Sequence, residues 1–140
     1  VLHSLGIFNK DVKKFVFFGI SSAIFLIIHS IFLGIKFDFT IYKLFRRVIL
    51  VLFIIFEITA QFYLIKIFYQ NIEILNGYIK NKILLLKKIL VYTLIVVAVL
   101  IFPFLPFNNL KTLKHILEWN YFIGVITFYL LTFFMWKKTN

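Results

Sequence analysis

VILVLFIIFEITAQFYLI, residues 48–65, decides the fold. Apart from Glu57, Thr59 and Gln61 its side chains are apolar or aromatic. A helix needs roughly 20 such residues to cross a hydrocarbon core of about 30 Å. With Leu44 to Arg47 at its mouth and Lys66 able to snorkel at its far end, the stretch reads as a transmembrane helix over 44–68. A carboxylate in the middle of that span is its anomaly.

Three further runs have similar length. FVFFGISSAIFLIIHSIFLGI, Phe15–Ile35, carries no charged residue and reads as a span over 13–35. His29 is its one ionisable group, and Ser21 and Ser22 can return their hydroxyls to the preceding turn without breaking the helix. ILVYTLIVVAVLIFPFLPF follows Lys87 and Lys88 and gives a span over 87–105, which Pro103 and Pro106 bend or end. WNYFIGVITFYLLTFFMW, Trp119–Trp136, gives a fourth over 118–136, with a Trp at each end where interfacial aromatics anchor. The expectation is an all-α integral membrane protein, a single domain over 1–140 with four transmembrane helices. No cleavable signal peptide is expected, because the first apolar run is too long and lacks a small-residue cleavage site.

Composition agrees. Hydrophobic residues make up 63% of the 140, against about 45–50% in a soluble domain, and the mean hydropathy is +1.02. Cysteine is absent, which excludes disulfides, thiolate metal sites and a cysteine nucleophile. The net charge is +11, which in a soluble domain would suggest nucleic acid. Here the basic residues collect between apolar runs, so anionic phospholipid headgroups are the expected partner and nucleic acid is not. The load of Phe, Ile, Lys and Asn matches AT-rich codons and points to a bacterial inner membrane or an organelle inner membrane.

Between the second and third spans lies a basic central loop, 69–86. Ile72, Leu75, Ile79, Ile83 and Leu86 recur at steps of three or four, which predicts an extension of the second helix, broken near Asn76–Gly77, followed by a short interfacial helix. Lys80, Lys82, Lys87 and Lys88, with Arg46 and Arg47 at the mouth of the second span, are the expected headgroup contacts. Ten basic residues fall on the side of the termini and central loop and six on the other. That bias places both termini on the cytoplasmic or matrix side.

Glu57 and Gln61 are four residues apart, on one helix face. An ionised carboxylate at mid-span is costly, so Glu57 must be protonated, paired or facing a polar cavity. Three roles follow: a proton or cation relay, a hydrogen-bonding point for a quinone or lipid-linked substrate, or hydrogen-bonding glue between helices. His29 lies at a depth within one or two turns of Glu57, but as a haem ligand it lacks a second intramembrane histidine in this chain. His115, Glu118, Asn120 and Tyr121 gather near the fourth span, and two ligands do not complete a zinc site. No HExxH, phosphate loop, CxxC or GxSxG is present. No catalytic residue, metal or cofactor is therefore expected. The expected function is a small non-catalytic subunit or assembly factor of a larger, energy-transducing membrane complex. The alternative is an autonomous transporter, or a membrane enzyme acting on a lipid-linked or quinone-like substrate.

Overall fold

The computed structural model describes residues 10–33, 40–101 and 111–137. They form five helices: α1 (Lys10–Leu33), α2 (Thr40–Gln70), α3 (Ile72–Leu75), α4 (Asn81–Ile101) and α5 (Lys111–Met135). Three contain spans long and apolar enough to cross a membrane: Lys10–Phe32, Leu44–Gln70 and Asn81–Leu100. The apolar part of α5, Trp119–Met135, has 17 residues and is shorter. The chain is an all-α integral membrane protein. Pro103 and Pro106 lie outside the described residues.

Helices extend beyond the apolar runs because their first turns are polar. α1 begins at Lys10, where Asp11 sits favourably in the positive first turn. α4 begins at Asn81 and α5 at Lys111. The early start of α4 removes the expected interfacial helix. Ile72 and Leu75 form the four-residue α3, Ile79 enters an isolated bridge, and Ile83 and Leu86 belong to α4. Leu75 and Ile79 are buried in protein instead of lying on a lipid surface.

The chain divides into two compact units, Val1–Ile67 and Phe68–Asn140. In the first, α1 and α2 run antiparallel and meet through side chains. Asp11 pairs with Lys66 at 2.8 Å, and Phe18 stacks on Tyr63 at 5.8 Å between centroids. Phe25 packs on Phe56, and at the opposite end Phe32 meets Phe45 while the Tyr42 hydroxyl donates to the Phe32 carbonyl. The α1 contacts (11, 14, 18, 22, 25, 32) recur at helical spacing. The other face of α1, with Val16, Phe17, Ile20, Ile24, Ile27 and Ile31, is exposed for lipid.

In the second unit α4 and α5 pack closely. A Cβ at Gly124 would stand 2.6 Å from Leu94 Cδ2, so glycine permits this approach. Leu84, Lys87, Val91 and Leu94 of α4 are buried, as are Tyr121, Val125, Phe128 and Met135 of α5. The antiparallel bridge Ile79–Trp136 closes one end. There Lys80 N–H donates to the Met135 carbonyl and Lys137 N–H to the Tyr78 carbonyl, both at 2.8 Å.

Candidate functional site

Glu57 is the 14th of the 27 residues in the Leu44–Gln70 span, at its centre. It is 3% exposed and Gln61 is 1% exposed. Both carboxyl oxygens are engaged. Ser22 Oγ lies 2.7 Å from Oε2, and Gln61 Nε2 donates to Oε1 at 3.1 Å. Ser22 is itself near the centre of its span, so the two helices meet at matching depth. Its hydroxyl also lies 2.9 Å from the Gly19 carbonyl, within its own helix. Thr59 bonds back to Ile55 and stays out of the cluster.

The packing around these groups is apolar: Phe53, Ala60 and Leu64 are buried on α2, and Phe18, Phe25 and Phe56 form ring pairs between α1 and α2. In such surroundings a hydrogen bond is stronger and an unmade one costlier than in water. The arrangement therefore fastens α1 to α2 at mid-span. Gln61 Oε1 is buried and has no hydrogen-bond partner among the described residues. His29 is half-buried two turns beyond Ser22 on α1, about 10 Å along the axis.

A second polar centre lies in the α4–α5 unit. Lys87, expected at the headgroups, is instead fully buried. Its Nζ donates to Thr132 Oγ1 at 2.8 Å and stands 4.2 Å from the Phe128 ring centroid and 5.3 Å from that of Phe68. Aromatic faces supply the negative potential that a carboxylate would otherwise give.

The remaining expected sites are dispersed. Lys80 and Lys82 are exposed, while Lys88 is half-buried over the Tyr69 ring at 5.0 Å. Arg47 is exposed and Arg46 half-buried. Asn120 is exposed and bonds back to the Ile116 carbonyl at 2.8 Å, whereas Tyr121 is buried. The side chains of His115 and Glu118 lie outside the described residues. Among the described residues no group of three His, Cys, Asp or Glu gathers to hold a metal ion.

Sequence reasoning missed Ser22 as the partner of Glu57 and Lys87 as an interior group. Matching depth was the available signal for Ser22. Lys87 gave none, because its neighbours Phe128 and Thr132 come from another helix. No protein-family model, curated protein or solved structure matches this chain.

Proposed function

We propose that the chain is a small, non-catalytic integral membrane subunit or assembly factor of a larger membrane complex, an energy-transducing one. The observation that carries this reading is the engagement of Glu57. The mid-span carboxyl group has Ser22 at one oxygen and Gln61 at the other, both from its own α1–α2 unit. A group so occupied serves as a fastener, whereas a relay needs a second titratable group in line with it. The exposed aromatic surface of α5, including Trp119, Tyr129, Phe133 and Phe134, offers area for neighbouring membrane helices. We take α5 as the fourth span, about 26 Å long over its 17 apolar residues.

Extraction in a mild detergent followed by native mass measurement tests the subunit role. Copurifying membrane proteins at fixed stoichiometry are expected. A monomer or homo-oligomer with no other chain would overturn the reading. One observation favours the second reading, an autonomous transporter or membrane enzyme: the unpartnered Gln61 Oε1 could receive a substrate donor. Reconstituted flux, or turnover by the purified chain alone, would promote it.

A further inference from the structure

We propose that Lys14 and Lys66, gathered on Tyr63, form a binding site for the phosphodiester group of an anionic phospholipid. The site rests on α1 and α2 being membrane spans and is independent of any subunit role. Lys14 is the last charged residue before the uncharged run Phe15–Ile35, and Lys66 is the first basic residue after the apolar body of α2. Each therefore stands at the rim of the hydrocarbon, where lipid phosphates lie. The antiparallel pairing brings both to the same rim.

Both ammoniums gather around one ring. Lys14 Nζ lies 5.2 Å and Lys66 Nζ 5.9 Å from the centroid of one ring, Tyr63, so the two nitrogens are no more than about 11 Å apart. Each stem is held. Lys14 donates to the Tyr63 hydroxyl at 3.3 Å, and Lys66 pairs with Asp11 Oδ2 at 2.8 Å. An ammonium has three N–H groups, so each lysine retains two, and the Tyr63 hydroxyl keeps its own hydrogen. Five donors around one ring are thus left for the two charged acceptor oxygens that a phosphodiester presents. Holding the stems beforehand lowers the ordering cost of binding.

Exposure has the right polarity. The Lys66 side chain is 42% exposed, whereas Asp11 is 14% exposed. The cation faces outward and the carboxylate that steadies it is sheltered. Lys10 and Lys13, both exposed on α1, add to the local positive field.

The test is native mass spectrometry of the delipidated full chain titrated with phosphatidylglycerol or phosphatidylcholine. Preference for phosphatidylglycerol is expected, with no displacement by millimolar inorganic phosphate. The K14Q/K66Q pair should weaken phosphatidylglycerol binding about thirty-fold. K10Q/K13Q removes the same charge from exposed positions without touching Tyr63 and should weaken it clearly less than K14Q/K66Q. Equal losses in the two pairs would mean a diffuse surface field and overturn the site, as would equal affinity for the two lipids or displacement by free phosphate. Y63F keeps the ring and removes the hydroxyl. It should lose several-fold in affinity, and provides the readout if K14Q/K66Q does not fold; unchanged binding by Y63F would then overturn the site.

Discussion

Glu57 can be replaced in two ways that separate fastening from proton traffic. In Glu57→Gln the amide Nε2 can donate to Ser22 Oγ, whose hydroxyl then turns to the Gly19 carbonyl, while Oε1 still accepts from Gln61. Both of these contacts have a replacement, so this variant should keep near wild-type thermal stability in detergent and assemble normally. Glu57→Leu leaves the buried Gln61 amide without its partner and should destabilise by about 1–3 kcal/mol. A relay would show the reverse pattern, with Gln abolishing activity in an assembled protein. Lys87 makes a second contrast. Its desolvation costs several kcal/mol against about 2 for the aromatic contacts, and no carboxylate pairs with it among the described residues. Lys87→Met keeps the volume and should be neutral or stabilising, whereas Lys87→Ala opens a cavity costing about 2–5 kcal/mol. A thermal melt that ranks Met below Ala would refute this. Neither partnership was legible in the sequence. Depth along a helix can be counted, but which face meets which depends on the relative rotation of two helices. A lysine at a span boundary has the same local sequence whether it snorkels or turns inward.

At the scale of elements, three of the four expected spans were legible because the membrane requires long apolar runs and permits few alternatives. Their beginnings were not. Lys10–Lys14, Asn81–Leu86 and the first turns of α5 are helical yet polar or mixed, so a search for apolar runs starts too late. The same blindness produced the expected interfacial helix, since the periodicity of Ile79, Ile83 and Leu86 continues across a bridge into α4. Gly124 could be noted as small, but its use as the contact for Leu94 emerges only when α4 and α5 are paired. This contact gives a coupled prediction. Gly124→Ala puts a methyl group against Leu94 and should destabilise the unit by about 1–3 kcal/mol. Adding Leu94→Ala removes the clashing carbons, so the double variant should be more stable than the sum of the singles implies. Simple additivity in thermal or denaturant unfolding would show that the helices do not meet there.

For the whole molecule, each unit is a helix hairpin that is read with the membrane by itself. In the first, Asp11 near the start of α1 pairs with Lys66 near the end of α2. In the second, Ile79 before α4 is bridged to Trp136 after α5. We propose, from the span count and not from how the units sit, that both termini and the central turn share one face of the membrane. From the bias of the basic residues we propose that this face is the cytoplasmic or matrix one. Single cysteines at positions 5, 40, 78, 110 and 139 of this cysteine-free chain can each be probed with an impermeant thiol reagent. Positions 5, 78 and 139 should label from one side, and 40 and 110 from the other. If α5 does not cross, 139 joins 40 and 110, which isolates the shorter fourth helix as the cause. Labelling of 78 from the side opposite to 5 would contradict the Asp11–Lys66 pairing and with it the lipid site on Tyr63. The cysteine scan therefore tests the fourth span separately from the α1–α2 pairing on which the Glu57 fastener depends.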